Sequence, residues 1–152
     1  MTEQMLRQYT VLVEYLGATL GPDYEVVLHE ILPETSRVAA IANGTISGRD
    51  VGAPITNAAL RMIMQKQYET SDYNLNYTGQ LANGKTIRSS TMFIKDGGKL
   101  VGLLCINFEQ GAISVKRTVA STVIDGKYQE FEQQPEKEEA IYSKVEFIKQ
   151  IV

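Results

Sequence analysis

The sequence has little of the chemistry on which metal sites, disulfides and redox enzymes depend. Among its 152 residues it has one cysteine, Cys105, one histidine, His29, and no tryptophan. One cysteine excludes an internal disulfide and a zinc site built on cysteine clusters, and one histidine excludes paired motifs such as H-E-x-x-H. We therefore predict no metal and no cofactor. Because the sequence also offers no defensible Ser-His-Asp set or carboxylate pair, we predict that the chain is not an enzyme.

An excess of positive charge and a long apolar run are also absent. The formal net charge is −3, whereas nucleic-acid-binding domains are usually basic, so we do not expect this chain to bind DNA itself. No apolar run approaches the roughly 20 residues of a membrane span. The first residues, MTEQ, lack the basic and then apolar layout of a signal peptide. We therefore expect a cytoplasmic protein without a membrane partner.

The residues that are present have the composition of one globular domain. Hydrophobic residues make up 43% and charged residues 22%, and the length is that of about one domain. Within residues 3–16, apolar side chains recur at steps of three and four, which predicts an amphipathic helix. We assign the N-terminal helix to residues 1–20 and expect Gly17, Gly21 and Pro22 to end it.

Short strands and one further helix are predicted beyond residue 20. Residues 24–31 and 37–42 are rich in β-branched residues, and the glycine-rich stretch 44–54 predicts a loop that feeds a helix. Hairpin signals at Asn83-Gly84 and Asp96-Gly97-Gly98 then predict an antiparallel meander. Its three strands are expected at 73–82, 86–95 and 100–108. The last of these is apolar on both faces, so we expect it to be central or to meet another subunit.

The end of the sequence is predicted to connect this domain to a further domain. We interpret residues 111–152 as a linker and the start of a C-terminal helix. Apolar residues in this helix form a short heptad-like seam, which favours a homodimer. Because the pattern is interrupted at Ile151-Val152, we expect the sequence to be a piece of a longer protein that is truncated before a further domain.

Five segments of the sequence carry a family resemblance. They are YEVVLHE (24–30), IANGTISGR (41–49), VGAPIT (51–56), GKTIRSST (84–91) and GLLCINF (102–108). In this order they resemble the YheO-like PAS domain, the N-terminal sensor domain of YheO- and DauR-type bacterial helix-turn-helix transcription regulators. The resemblance spans about residues 8–108. It departs from the family at Asn57, where an acidic residue is frequent.

The resemblance and the element order imply the fold. The predicted element order is two strands, a helical segment and a three-strand meander, which is the order of a PAS domain. We predict an α+β fold in which residues 21–110 form a PAS-like five-stranded antiparallel sheet. Helices would lie on one face of this sheet, with flanking N- and C-terminal helices outside it.

The resemblance also implies a function. It implies a sensor that binds a small cytoplasmic metabolite, amino-acid-like by analogy, and transmits to a C-terminal helix-turn-helix domain absent from this chain. DNA would then be a partner only through that missing domain. The Asn-Cys-Arg motif of flavin photosensors is absent. Two alternatives stay open: a dimerisation module of the same type of regulator that binds no ligand, and a small enzyme that depends on His29 or Arg88.

Six polar residues are candidates for ligand contact: His29, Asn43, Arg49, Arg88, Ser90 and Asn107. His29 has apolar neighbours on its strand face, so it is either a core histidine or a cavity residue. Arg88 lies in a strand unusually rich in polar residues. A buried charge needs a partner, so Arg88 either binds a ligand carboxylate or pairs with an acid such as Glu25 or Asp50.

The other candidates have similar alternatives. Arg49 lies in the glycine-rich loop, which either closes over a ligand or only joins a strand to a helix. Asn107 stands alone on an apolar strand face, where it binds ligand or braces a neighbouring strand. Asn43 and Ser90 are expected to be polar groups of the same cavity, although strand parity does not place all six residues on one face. Cys105 is interpreted as a small buried apolar residue.

Overall fold

The structure, a computed structural model, describes residues 1–110. The predicted linker and C-terminal helix at 111–152 lie outside these residues. In chain order the elements are α1 (Glu3–Leu20), β1 (Tyr24–Ile31), β2 (Ser36–Ala42), α2 (Asn57–Met64), a short 3-10 helix (Gln67–Glu69), β3 (Tyr73–Gln80), β4 (Thr86–Asp96) and β5 (Lys99–Glu109).

The strands form one antiparallel sheet in the order β2-β1-β5-β4-β3. β5 is therefore the central strand, as its two apolar faces predict. The predicted five-stranded, PAS-like α+β architecture is confirmed. The two meander turns use glycines with positive φ, of 85° at Gly84 and 57° and 82° at Gly97 and Gly98, which is why they stand out in the sequence.

Each face of the sheet is covered by a helix. On one face, α2 packs Ala59, Leu60 and Ile63 against side chains that include Val27 and Leu103. On the other face, Val13 of α1 packs into a second cluster with strand residues such as Val26, Leu28 and Leu104. Within residues 1–110, no helix combines the length and the hydropathy needed to cross a bilayer. The α2 face holds the candidate site.

The position of Gly17 differs from the sequence prediction. Gly17 does not end α1, because the helix continues to Leu20 and is capped by Gly21, whose N–H donates to the Gly17 carbonyl. Gly17 is buried where α1 crosses β2, and a Cβ on it would collide with the Cβ of Ala42. The glycine is therefore needed for close contact between the helix and the sheet.

The substitution Gly17→Ala should destabilise the fold. Overpacking of this kind costs about 1 to 3 kcal/mol, which outweighs the gain in helix propensity of about 1 kcal/mol. Urea unfolding of Gly17→Ala and of the double variant Gly17→Ala/Ala42→Gly tests the contact. The double variant removes the colliding atom and should recover most of the loss. A single variant as stable as the wild type would show that α1 does not depend on this close approach.

Candidate ligand-binding cavity

A cavity of about 550 Å³ lies between the α2 face of the sheet and the loop that joins β2 to α2. This volume is within the range of sites that bind small molecules. Four strands, the loop, the start of α2 (Asn57 and Ala58) and the turn after β3 (Leu81 and Ala82) line it, so its shape depends on the folded sheet. The sheet contributes Glu25, Val27, His29, Tyr77, Gly79, Gln80, Ile87, Ser89, Cys105 and Asn107, and the loop contributes Ser47, Gly48, Arg49, Asp50, Val51, Ala53, Pro54 and Thr56.

A row of polar side chains crosses the floor of the cavity. Strand register pairs Glu25 with Asn107, Asn107 with Ser89, and Ser89 with Tyr77. Alternate residues of a strand face the same side, so paired residues across strands point to the same face. The cavity floor therefore presents one polar side chain from each of four neighbouring strands, in a row across the sheet.

Glu25 lies beneath the cavity as a fully buried acid, with 0% of its surface exposed. Its Oε1 accepts a hydrogen bond from Asn107 Nδ2 at 2.8 Å, and its Oε2 accepts from the backbone N–H and the hydroxyl of Ser47. These bonds offset the desolvation of the carboxylate. Glu25 therefore ties the loop and the central strand β5 to β1. Sequence reasoning did not assign it to the site, although it shares a strand face with Val27 and His29.

His29 is one of the cavity residues and is 2% exposed. Its Nδ1 is buried and has no hydrogen-bond partner in the part of the chain that the structure describes. Burial, and second the positive charge of Arg49, lower the pKa of His29 from 6.5 to about 3. The imidazole is therefore neutral at physiological pH, and it offers the cavity a polar group without a charge.

Arg49 is the loop's cation and also lines the cavity. Its side chain is half-buried, and its Nη2 donates to the carbonyl oxygen of Pro54 at 2.8 Å. Its backbone N–H donates to Ser47 Oγ, which itself donates to Glu25. The loop conformation is thus fixed by its own residues Ser47 and Pro54 and by Glu25 of β1.

Cys105 lies on the cavity face and is buried, as expected. Burial raises the pKa of its thiol to about 11, so the thiol stays protonated at neutral pH. Its sulfur lies 3.3 Å from Thr91 Oγ1, which is 2.7 Å from the Tyr77 hydroxyl. Within residues 1–110, no group of His, Cys, Asp and Glu is arranged to hold a metal ion.

Arg88 and Ser90 lie on the opposite face of β4 and do not line the cavity. The guanidinium carbon of Arg88 is 6.0 Å from the centre of the Phe108 ring, a cation–π contact. Ser90 Oγ accepts from the Asn76 N–H at 3.0 Å. Of the alternatives for Arg88, an ion pair with Glu25 is wrong, because the two side chains project from opposite faces of the sheet. The cavity-facing residues of this strand are Ile87 and Ser89.

Asn43 is also outside the cavity, and it has a structural contact instead. It has a positive φ of 57°. Its Nδ2 lies within hydrogen-bond distance of three carbonyl oxygens, those of Gly17, Gly21 and Tyr24, at 3.2, 3.0 and 2.7 Å. The side chain therefore closes the C-terminal end of α1 and joins it to β1 and β2. Of the six candidates, the cavity therefore brings together His29, Arg49 and Asn107, and not Asn43, Arg88 and Ser90.

Mutation can separate the effect of the positive φ of Asn43 from the effect of its side-chain amide. Asn43→Gly keeps the positive φ and loses the amide, and we expect a loss of about 1 kcal/mol. Asn43→Ala also strains the backbone, which adds about 1 kcal/mol. Urea unfolding gives both values. Equal stability of the two variants would contradict the strain argument, and a wild-type value for both would contradict the role of the amide.

Comparison with known proteins identifies the family that this chain matches. The family model described as YheO-like PAS domain matches residues 1–125. The uncharacterized protein YheO of Escherichia coli K12 is 34% identical over 104 residues, which are 68% of this chain and 43% of YheO. An uncharacterized protein of Haemophilus influenzae is 31% identical over 106 residues, 69% of this chain and 47% of that protein. The chain thus spans less than half the length of the curated relatives it matches.

Two solved structures show more distant likeness. A PAS domain from Colwellia psychrerythraea aligns with a TM-score of 0.43 and 17% identity, over 69% of this chain and 96% of that one. A light-oxygen-voltage domain studied with a flavin analogue aligns with the same TM-score and 14% identity, over 74% of this chain and 96% of that one.

Proposed function

The chain belongs to the YheO-like PAS domain family, and we propose that its cavity binds a small cytoplasmic metabolite as the sensory part of a bacterial transcription regulator. The regulator would contact DNA through a C-terminal helix-turn-helix domain outside this chain.

The observation that carries the proposal is a cavity with both space and polar groups for a ligand. Its volume is about 550 Å³, and it is lined by neutral His29, the amide of Asn107 and the guanidinium of Arg49. A domain that served only for dimerisation would have no use for such a cavity and would fill it with its own side chains. The cavity therefore favours ligand binding over the alternative of a dimerisation module without a ligand.

The loop over the cavity provides a route for the signal. It is hydrogen-bonded to β2, since Val38 N–H donates to the Ala53 carbonyl and Gly52 N–H donates to the Val38 carbonyl, both at 2.8 Å. The end of β2 in turn contacts α1 through Ala42 and through Asn43, the residue that follows the strand. A ligand that prefers one loop conformation would shift the population of the arrangements of β2 and α1. The terminal helices would pass this shift to the DNA-binding domain.

Thermal unfolding with a panel of small molecules tests the proposal. A ligand at 100 times its dissociation constant should add about 2.7 kcal/mol of stability, which is a shift of several degrees for a domain of this size. The panel contains amino acids of both chiralities, their amides, small carboxylates, amines, sugars and nucleosides.

Adjacent serines of β4 provide a matched pair of variants for this experiment. Ser89→Leu fills the cavity, and we expect it to abolish the shift. Ser90→Leu adds the same side chain on the opposite face, and we expect it to keep the shift. A shift of equal size in both variants would place the ligand elsewhere, and no shift in the wild type with the whole panel would contradict the proposal.

We also propose that the chain forms a homodimer through α1. Val11 and Tyr15 lie one helical turn apart and are 58% and 62% exposed, so they form an apolar patch on the outer side of the helix. We expect a dimer at tens of micromolar in sedimentation velocity, and a larger monomer fraction for Tyr15→Glu than for the matched surface variant Glu14→Gln. A strictly monomeric wild type would contradict dimerisation.

A further inference from the structure

His29 is a polar side chain in an otherwise apolar part of the sheet. Alternate residues of a strand share a face, and Val27 and Ile31, two positions before and after His29 on β1, are both buried. Its paired residues on the neighbouring strands are Val38 of β2 and Leu103 of β5, each with 0% of its surface exposed. None of these four side chains can donate or accept a hydrogen bond. The imidazole therefore finds no partner among the side chains next to it on the sheet.

The two ring nitrogens of His29 differ in their surroundings. Nδ1 is buried and has no hydrogen-bond partner within residues 1–110. The residue still lines the cavity, with the 2% of its surface that is exposed. Because Nδ1 is covered, the edge of the ring that reaches the cavity is the outer one, which carries Nε2.

The buried nitrogen indicates where the ring of His29 carries its proton. A neutral imidazole has one N–H donor and one nitrogen that only accepts. A buried N–H without an acceptor is rarer in proteins than a buried acceptor without a donor. The unpartnered Nδ1 is therefore the nitrogen without the proton, and Nε2 carries it. In this tautomer His29 presents an N–H group to the cavity.

His29 stays uncharged although Glu25, Arg49 and Asp50 line the same cavity. Burial, and second the positive charge of Arg49, lower its pKa to about 3. Glu25 lies four residues away on β1, about 13 Å along the strand, and Asp50 is exposed to solvent. Neither carboxylate forms an ion pair with His29. An ionised ligand group would also lose its hydration among the apolar neighbours of His29, which favours a neutral group at this position.

From this environment we infer that His29 donates a hydrogen bond from Nε2 to an uncharged oxygen of the ligand, such as a carbonyl, hydroxyl or ether oxygen, and thereby determines specificity. The inference rests on the proposed function and names the group that the metabolite presents at this end of the cavity. In the ligand-free protein the imidazole costs stability, because Nδ1 is buried without a partner. The fold does not need a polar residue at this position, whereas the ligand does.

The proton can be located without a mutation, because His29 is the only histidine in the sequence. A long-range ¹H–¹⁵N spectrum of the ¹⁵N-labelled protein at pH 7 distinguishes the two neutral tautomers from each other and from the imidazolium. We expect the tautomer with the proton on Nε2, both alone and with the panel compound that gives the largest thermal shift. A proton on Nδ1, or an imidazolium in the complex, would overturn the inference.

Apolar substitutions test whether the fold needs the imidazole. His29→Leu and His29→Met remove the unpartnered nitrogen and keep a side chain of similar size. We expect at least one of these variants to melt several degrees above the ligand-free wild type at pH 7. If both melt at or below the temperature of the wild type, the fold itself satisfies the imidazole, and the inference fails.

Calorimetric titration with the same panel compound tests the contact with the ligand. His29→Leu should raise the dissociation constant by about fivefold to a hundredfold, because the oxygen of the compound loses its donor. The amide nitrogen of His29→Gln reaches close to the position of Nε2, so we expect this variant to keep most of the affinity. The shorter His29→Asn should bind as weakly as His29→Leu.

The outcomes separate this inference from the proposed function. Equal affinity of the wild type and His29→Leu, with binding still abolished in Ser89→Leu, would leave the sensor in place and overturn the role of His29. An analogue of the compound that lacks the oxygen should bind the wild type and His29→Leu equally. If no panel compound stabilises the wild type, both proposals fail.

Discussion

Lowering the pH from 7 to 4 should cost the folded protein about 3 kcal/mol through His29 alone. The pKa of His29 falls from 6.5 in the unfolded chain to about 3 in the folded protein, because burial and the charge of Arg49 disfavour the imidazolium. Between these two values the unfolded chain binds more protons than the folded one. The free energy of unfolding is therefore almost unaffected by His29 well above pH 6.5. It falls by about 1.4 kcal/mol per pH unit as the pH drops toward 3.

Urea unfolding between pH 7 and pH 4 measures how much His29 contributes to the pH dependence of the free energy of unfolding. His29→Leu has a similar size and no titrating group, so the carboxylates common to both proteins cancel when the two stability curves are subtracted. We expect the difference between variant and wild type to grow by about 3 kcal/mol over this range. Parallel curves would mean that His29 is not buried as a neutral imidazole.

Replacing Glu25 by alanine should destabilise the protein by about 3 to 5 kcal/mol. Glu25 accepts hydrogen bonds from Asn107 and twice from Ser47, and the variant leaves these donors without their partner. The loop would lose its attachment to the sheet, and Asn107 would lose its fixed orientation. We therefore also expect weaker ligand binding in any Glu25→Ala protein that folds.

The comparison uses two controls, both measured by urea unfolding. Glu25→Gln keeps the size of the side chain and an oxygen that accepts from Asn107 or Ser47, so we expect a smaller loss. Glu14 is exposed on α1, and Glu14→Ala should change the stability by no more than about 0.5 kcal/mol. A Glu25→Ala protein within 1 kcal/mol of the wild type would show that Glu25 does not hold the loop.

The element order could be predicted because its signals are local. Alternation of apolar residues, the glycines of the two meander turns and the doubly apolar strand β5 each act within a few residues. The end of α1 at residue 20 agrees with the prediction, but the role of Gly17 was wrong, because the need for Gly17 arises from Ala42, a residue of another element. Such a close contact leaves no mark in the local pattern, and a glycine within a helix looks like a terminator.

The site residues were harder to predict, because the cavity depends on how elements distant in sequence pack on the sheet. Strand parity correctly separates Arg88 and Ser90 from Ser89, but both faces of β4 carry polar residues. Parity alone therefore does not tell which face meets the cavity. That choice depends on which side α2 and its loop cover. Asn43 looked like a ligand contact because its amide is polar, yet its partners are backbone carbonyls that no side-chain pattern reveals.

The central claim is that a metabolite binds between the sheet and the loop. Its most direct test is an NMR titration of the isotope-labelled protein with the compound that stabilises it most in the thermal panel. We predict that the largest shifts fall on Arg49, Ser89 and Asn107, and that Arg88 and Ser90 change little. Shifts concentrated on the α1 face of the sheet, with the cavity residues unchanged, would contradict the account.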